Sequence, residues 1–295
     1  MIPAPGNVLV SYHYFKEHDL TRLGGLRVIG DSGAFSAHHQ GVTITTAQLA
    51  AWATKWRSRF CWVAALDVIG DAEATRRNWH ELVDVHGIPG VPTIHFGSDP
   101  VLLDYYAERG VDFVGLGGMV GRSRNAQMRW LVTVFKYARA KHPAMRFHGW
   151  GLTHTQGLQL PFFSVDSSGW SMSYRYGTLT LRDPDRTGKT VALNLDGRSS
   201  YAPSIAGLLR EHYGVNPDEV ATSGGHNRPL IVRVSALSAS VQEQQFRHLH
   251  RRQPVTAPTW GQLADRVDGP HLHLAMVENY TEADVVVALM NGERS

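Results

Sequence analysis

Short apolar runs alternate with longer amphipathic segments along the first two-thirds of the chain. Seven apolar runs have the length of buried strands: residues 8–15, 26–30, 61–66, 90–95, 113–116, 146–150 and 162–165. Four segments between them have a helical period: residues 46–59, 71–86, 100–109 and 125–142. Strands separated by helices of this length predict a parallel sheet. Seven strands in succession favour an α/β fold of the closed (β/α)8 type, the TIM barrel, over an open doubly wound sheet.

The pattern changes after Trp170. Residues 174–195 alternate weakly and contain turn residues, which predicts a hairpin or an extended insertion. Residues 203–213 and 235–252 have the pattern of helices, the second of them amphipathic.

The eighth barrel strand has the weakest signal, and residues 230–234 are the best candidate for it. We therefore expect residues 1–200 to hold the barrel core with its active-site strand ends. Residues 201–295 are expected to form a mainly helical C-terminal extension, which completes the barrel and carries a basic segment.

Polar or glycine-rich residues follow the predicted strands at the point where each strand ends. They are Asp31, Asp67, His95, Gly117, Gly118, Gly151 and Asp166. In barrel enzymes the carboxyl ends of the strands carry the chemistry. We therefore expect these residues to converge on one site at the barrel mouth.

Asp31 and Asp166 are the candidate catalytic pair. Each directly follows an apolar strand, although Asp31 by itself also fits a capped strand-to-helix turn. Together they suit displacement at an anomeric carbon, in which one carboxylate forms a covalent glycosyl-enzyme and the other transfers protons. Such a division of labour requires one ionised and one protonated group, which different surroundings can provide.

Charge and hydropathy set limits on the partners. The formal net charge is only +3, yet 24 of the 29 cationic side chains are Arg. Arg suits bidentate phosphate contacts, so this bias fits nucleic-acid binding as well as a GC-rich genome. The basic cluster with Arg247, Arg251 and Arg252 is either a solvated helix end or a phosphate contact. No apolar run approaches the roughly 20 residues that span a bilayer, and no signal peptide is recognisable, so we expect a cytoplasmic protein without a membrane partner.

Metal and thiol chemistry have little support in the sequence. Cys61 is the single cysteine, which excludes a disulfide within the chain and a cysteine-based zinc site. Its apolar context favours a small buried residue over a catalytic thiol. His271 and His273 would share one face of a strand, but they lack a third metal ligand nearby. We expect neither a metal nor a cofactor.

Five short motifs resemble those of the tRNA-guanine transglycosylases, in the same order and with similar spacing. The first, Asp31-Ser32-Gly33-Ala34-Phe35, resembles that family's Asp-Ser-Gly-Gly-aromatic motif. The other four are Leu66-Asp67, Val114-Gly115-Leu116-Gly117-Gly118, His148-Gly149-Trp150-Gly151 and Phe163-Ser164-Val165-Asp166. The resemblance covers residues 28–170, which is nearly half of the chain.

The resemblance implies a TIM-barrel enzyme that exchanges guanine in a nucleic acid for a 7-deazaguanine base. It implies that Asp166 is the nucleophile and Asp31 the general acid and base. Asp67 would read the guanine edge and Phe35 would stack on the base. The remaining base-binding candidates are His95, Gly117, Gly118, His148 and Trp150. For Trp150, a place in the core is the alternative.

Three departures from the family pattern point to a DNA substrate. One cysteine cannot form the family's Cys3His zinc site, whose subdomain helps to hold tRNA. The family's Gln-Gly pair is replaced, so amide recognition is lost or moved to His95. The segment after the nucleophile is Ser-Ser-Gly-Trp, with Arg175 as the nearest cation. These features are more similar to the bacterial and phage proteins that insert 7-deazaguanines into DNA.

We therefore expect DNA and a 7-deazaguanine base as partners, without a metal or a cofactor. The expected nucleic-acid contacts are Arg175, Arg247, Arg251 and Arg252. The same reaction on tRNA is the first alternative. A glycoside hydrolase and a nucleic-acid-binding relative without turnover are the others, and a homodimer is left open.

Overall fold

The computed structural model describes residues 2–195, 201–222, 227–250, 270–276 and 280–293. Eight strands form its main sheet: β1 (Asn7–Ser11), β2 (Arg27–Asp31), β3 (Phe60–Val63), β4 (Thr93–His95), β5 (Phe113–Gly117), β6 (Arg146–Gly149), β7 (Ser164–Ser167) and β10 (His271–Met276). Their order in the sheet is β3-β2-β1-β10-β7-β6-β5-β4, and all neighbouring pairs are parallel. The predicted parallel α/β architecture is confirmed.

Two further strands, β8 (Thr178–Arg182) and β9 (Thr190–Asn194), form a separate antiparallel pair. This pair lies within the segment 174–195, for which the sequence predicts a hairpin. It packs on the outer side of the fold through Leu179, Leu181 and Leu193, which share a core cluster with Val234 and Val241.

The helices are α1 (Tyr12–Phe15), α2 (Ala34–His39), α3 (Thr46–Lys55), α4 (Ala72–His80), α5 (Leu102–Ala107), α6 (Arg124–Lys141), α7 (Gly169–Arg175), α8 (Pro203–Leu208), α9 (Pro217–Thr222), α10 (Arg228–Leu249) and α11 (Tyr280–Met290). Side-chain N-caps explain where several of these helices begin. Thr45 and Gln48 form a capping box at α3, and the side chains of Asp71 and Ser123 cap α4 and α6. Within the described part of the chain, no helix combines the length and apolar character that crossing a bilayer requires.

The main sheet is curled, which brings its two edge strands, β3 and β4, close to each other. The contact lies just after β3 and just before β4. Ala64 and Val91 form a single parallel bridge, and the Val91 amide nitrogen donates to the Val63 carbonyl at 2.8 Å. The Ala65 amide nitrogen donates to the Val91 carbonyl at 2.9 Å, and among the described residues no further pairing extends this contact. The sheet is therefore barrel-like but not closed by a full set of strand pairs, which corrects the expectation of a regular closed barrel.

The two faces of the sheet carry different cores. Residues that alternate along the strands form a cluster on the face away from the helices, namely Leu9, Ile29, Trp62, Ala64, Val91, Phe113, Phe163 and Ala275. Their neighbours, such as Val8, Val28 and Val165, pack against the helices on the other face. This period of two is the expected consequence of alternating side-chain direction in a strand.

The predicted eighth strand is wrong. Residues 230–234 lie in the first turns of α10, where Asn227 caps the helix and Pro229 occupies its first turn. A short apolar run has no period that separates a strand from a buried helix. The actual eighth strand is β10, which lies between β1 and β7 and contains His271 and His273.

Candidate active site

Three carboxylates lie at the carboxyl ends of strands on the same side of the sheet. Asp31 is the last residue of β2, Asp166 lies in β7, and Asp67 follows β3. They are close enough that the charges of Asp166 and Asp67 both raise the pKa of Asp31. The structure therefore brings together the three acidic residues that the sequence marks as strand-end candidates.

Asp166 has one oxygen held in place and one left open. Its Oδ1 accepts hydrogen bonds from His148 Nε2 at 3.2 Å and from the Gly151 amide at 3.0 Å. Its Oδ2 has no hydrogen-bond partner among the residues that the structure describes. The side chain is mostly buried, so the carboxylate has a fixed orientation with one oxygen free to react.

His148 holds Asp166 in position from the neighbouring strand β6. Its ring is fully buried on β6, and Nδ1 lies 2.7 Å from the Ser164 hydroxyl. Burial lowers the pKa of His148, against the opposing effect of Asp166. A neutral ring with its proton on Nε2 satisfies both contacts, because Nε2 then donates to the carboxylate and Nδ1 accepts from Ser164. The sequence assigned His148 to the base; the structure gives it no exposed surface.

Asp31 lies in a setting that favours its protonated form. Its pKa is raised to about 7, mainly by burial and then by the charges of Asp166 and Asp67. The Gly33 amide, which donates to Asp31 Oδ2 at 2.9 Å, opposes this shift. A carboxyl group with such a pKa can both donate and accept a proton near neutral pH.

The turn after Asp31 depends on Gly33. Gly33 has φ +73°, and a Cβ there would lie 2.5 Å from the Cβ of His13. The sequence Asp-Ser-Gly therefore matches a tight left-handed turn that only glycine occupies without strain.

Asp67 and His95 form a pair that the sequence did not connect. His95 Nε2 lies 2.9 Å from Asp67 Oδ2, and the Thr75 hydroxyl donates to Asp67 Oδ1 at 3.2 Å. The hydrogen bond to Asp67 raises the pKa of His95, against the effect of burial. Both side chains keep part of their surface exposed, so the pair can reach a ligand.

The glycines of β5 make room for Trp150. A Cβ on Gly115 would overlap the indole of Trp150, and a Cβ on Gly117 would lie 3.1 Å from its Cδ1. Trp150 Nε1 donates to the Thr93 hydroxyl at 3.1 Å, which fixes the ring across the strands. Its ring centroid lies 4.2 Å from that of His148, so the indole packs beside the residue that holds Asp166.

Two other base-binding candidates lie at the surface. Phe35 is 48% exposed on α2, with its ring 4.3 Å from that of His39. Gly118 has φ +71° and follows β5, where the Phe96 amide bonds to the Gly117 carbonyl at 2.8 Å. An exposed aromatic ring four residues from Asp31 is available to cover a bound planar group.

Of the four cationic candidates, the structure describes Arg175 and Arg247. Arg175 Nη2 lies 3.5 Å from Oε1 of the buried Glu282, so its charge is engaged within the fold. Arg247 lies in the last turn of α10. Arg251 and Arg252 fall outside the residues that the structure describes.

His271 and His273 lie on β10 as expected, deep in the sheet. Both are buried, and His271 Nδ1 is 3.6 Å from Glu243 Oε1. Burial lowers the pKa of His273 well below its usual value. Among the described residues, no group of three His, Cys, Asp or Glu side chains is arranged to hold a metal ion. Cys61 is partly buried on β3.

Sequence reasoning missed Ser164 and Thr75, which orient His148 and Asp67. The signal for Ser164 was its spacing: it lies two residues before Asp166 and thus on the same face of β7. Thr75 gave no comparable signal, because its contact depends on where α4 packs.

Fold and site together define a carboxylate-based site at the carboxyl ends of a curled parallel sheet. The chain matches no protein-family model, no curated protein and no solved structure.

Proposed function

We propose that this protein exchanges guanine in DNA for a 7-deazaguanine base through a covalent glycosyl-enzyme intermediate. The proposal rests mainly on two neighbouring carboxyl groups. Asp166 has an Oδ2 without a hydrogen-bond partner among the described residues, and Asp31 has a pKa raised to about 7. A nucleophile next to a group that can hold a proton is what exchange at an anomeric carbon requires.

In the first half-reaction, Asp166 Oδ2 attacks C1′ of the nucleotide while the bond from C1′ to the base breaks. Asp31 gives its proton to the departing guanine, which leaves as a neutral base. In the second half, a 7-deazaguanine loses its N9 proton to Asp31 and attacks C1′, which releases Asp166. The residues end in the state in which they began.

His148 and the Gly151 amide serve the nucleophile in this scheme. Both bind Oδ1, so they fix the carboxylate without blocking Oδ2. Holding the attacking atom in one orientation removes an entropic part of the barrier. Because His148 is neutral in this arrangement, it does not draw the negative charge of Asp166 into a full ion pair.

The pair of Asp67 and His95 is the proposed reader of the base. A carboxylate oxygen can accept more than one hydrogen bond, so Asp67 retains capacity for the N1–H and 2-amino donors of a guanine-type edge. Trp150 would line the pocket, Phe35 would cover the base, and the backbone at Gly117 and Gly118 would contact it.

In this proposal the mouth of the (β/α)8-like sheet lies at the three carboxylates. The single bridge between Ala64 and Val91 brings the two outer strands together on that side. A base inside a duplex does not expose C1′ to such a mouth, so the nucleotide must be flipped out. The departures from the tRNA family's motifs favour DNA over tRNA as the substrate, and its modification would take place in the cytoplasm.

The decisive experiment measures incorporation of labelled guanine into duplex DNA, single-stranded DNA and tRNA in parallel. We expect exchange into DNA, and loss of it by at least about a thousandfold in Asp166→Asn, which retains the shape of the side chain. Mass spectrometry of the protein during turnover should show a nucleotide-containing adduct in the wild type alone.

Incorporation into tRNA alone would show that tRNA is the substrate of the same reaction and would exclude DNA. Full exchange by Asp166→Asn would exclude the proposed nucleophile. No exchange into any of the three substrates, by protein that melts cooperatively, would refute the proposed reaction.

A further inference from the structure

A cleft that none of the three carboxylates lines lies between the β8–β9 hairpin, α10 and the segment that precedes β7. Its volume is about 420 Å³. A second cavity of about 120 Å³ adjoins it and reaches Ser167 on β7. The two cavities share Thr153, Arg182 and Gln242, so Arg182 faces both.

The charged side chains that line this cleft are positive. Arg182 and Arg124 line it, and neither cavity wall contains Asp or Glu among the described residues. Arg182 forms no ion pair with any residue that the structure describes; its Nη1 donates to the Ser238 hydroxyl at 3.3 Å. Burial lowers the pKa of the Arg182 guanidinium. A largely buried cation without a carboxylate partner is costly, so the cleft is complementary to an anion.

Arg182 is held in place by the surrounding elements. Its backbone amide donates to the Tyr213 hydroxyl at 3.0 Å, and that hydroxyl donates to the Arg182 carbonyl at 2.8 Å. Gln245 Nε2 donates to the Asp183 carbonyl at 3.1 Å, which ties the hairpin to α10. The backbone of Arg182 is therefore fixed, and the bond from Nη1 to the Ser238 hydroxyl orients the guanidinium, so part of the cost of ordering an anion site is already met.

The other polar side chains of the cleft are a histidine, glutamines and threonines. His154 is fixed by Gln127 Oε1 at 3.1 Å and by the Gly157 amide at 3.0 Å, and both burial and Arg124 lower its pKa. The cleft wall also carries four threonines, namely Thr153, Thr155, Thr187 and Thr190. Guanidinium groups with nearby hydroxyls match the several acceptor oxygens of phosphate better than the two of a carboxylate.

The basic end of α10 adjoins the cleft. Leu249 lines it, and Arg247 and His248 belong to the same last turn. One member of the basic cluster that the sequence marks for phosphate contact, Arg247, therefore lies on a helix end that adjoins the cleft.

We propose that this cleft binds a phosphate group, with Arg182 as its central ligand. The phosphate belongs either to a nucleic-acid backbone or to a free nucleotide, and the two sources share this chemistry. The inference goes beyond base exchange, and it stands or fails without any measurement of that reaction.

The test uses the full chain and three probes: inorganic phosphate, a nucleoside 5′-monophosphate and a short DNA duplex. Calorimetry and thermal melts compare each probe with potassium chloride at equal ionic strength. The variants are Arg182→Gln, Arg182→Lys and the matched control Arg186→Gln, whose side chain is 68% exposed on the same hairpin.

For wild type, we expect binding and a rise in Tm with at least one probe. Arg182→Gln should weaken binding by about tenfold or more, and Arg182→Lys should retain part of it, whereas Arg186→Gln should leave it unchanged. Binding of all three probes identifies a general phosphate site, and binding of DNA alone identifies a backbone site. Without ligand, Arg182→Gln should melt no lower than wild type, because it removes a buried charge.

Equal affinity of wild type and Arg182→Gln for every probe would overturn the proposal, as would no binding beyond that of chloride. If Arg182→Gln does not fold, the comparison of Arg182→Lys with wild type decides, because lysine keeps the charge but loses the planar fork.

Discussion

At the residue scale, similar carboxyl groups differ because their neighbours differ. Asp166 receives two hydrogen bonds on one oxygen, whereas Asp31 is bound by the backbone of Ser32 and Gly33 and lies near two negative charges. Asp67 is paired with His95 and Thr75. Three aspartates at three strand ends therefore have the surroundings for three roles: nucleophile, proton carrier and base reader.

The raised pKa of Asp31 predicts a pH dependence with a defined sign. The folded state binds this proton more tightly than the unfolded chain, so its stabilising contribution is complete below about pH 4 and is lost as pH rises through about 7. Urea unfolding should show that Asp31→Asn gains stability relative to wild type over that window, on the order of 1–4 kcal/mol. Base exchange by wild type should decline above about pH 7. A stability difference that does not vary with pH would contradict the shifted pKa.

Asp67 should control affinity for the free base. In Asp67→Ala the donors of a guanine-type edge lose their acceptor, which typically costs about 1–3 kcal/mol. Calorimetry should therefore show that binding of a 7-deazaguanine is weaker by about tenfold or more. Exposed Asp84→Ala is the control, because that side chain only pairs with His80 on the surface. Equal affinity of wild type and Asp67→Ala would remove Asp67 from the base-binding site.

At the scale of elements, turns aim the site residues. The turn from β2 into α2 passes through Gly33, whose positive φ lets the amide reach back to Asp31 Oδ2. The glycines of β5 act differently, because they leave space for the ring of Trp150. In both places the missing side chain is what allows a neighbouring group to take its position.

Gly33→Ala and Gly41→Ala form a matched pair of variants. Both glycines have positive φ, but a Cβ at Gly33 meets His13 at 2.5 Å, whereas none of the surrounding atoms lies within 4 Å at Gly41. We expect Gly41→Ala to cost about 1 kcal/mol of unfolding free energy and Gly33→Ala clearly more, about 2–4 kcal/mol. Urea denaturation measures both. Equal losses would show that the contact with His13 relaxes without cost.

At the scale of the whole molecule, the sheet depends on a strand from the far end of the chain. β10 lies between β1 and β7, and its His273 is paired in register with Asp166. α10 packs against this strand, and its buried Glu243 accepts a hydrogen bond from Asn7 at 2.7 Å. The last third of the chain is therefore built into the same sheet as the first two-thirds.

A chain that ends at residue 200 should not fold cooperatively. Without β10, β1 and β7 lose the strand between them and become exposed edges, and the main remaining link between β1–β3 and β4–β7 is the bridge of Ala64 and Val91. Circular dichroism and calorimetry of this fragment should show no sharp transition, in contrast to the full chain. A cooperative melt of the fragment would mean that the first 200 residues form an independent domain.

The sequence by itself determined what depends on neighbouring residues. The length of the apolar runs predicted the first seven strands, although residues 12–15 of the first run form α1, and weak alternation predicted the hairpin, because these signals act within a few residues. Strand-end positions also singled out Asp31, Asp67 and Asp166, since parallel strands bring their carboxyl ends to one side of a sheet.

The tertiary structure decided what depends on residues far apart in the chain. It assigned residues 230–234 to a helix and placed β10 in the sheet, because burial between two layers outweighs the local pattern of a short apolar run. It also joined His148 to Asp166 and His95 to Asp67, and it raised the pKa of Asp31 through burial and two distant carboxylates. Desolvation and charge coupling arise only from packing, so no local pattern encodes them.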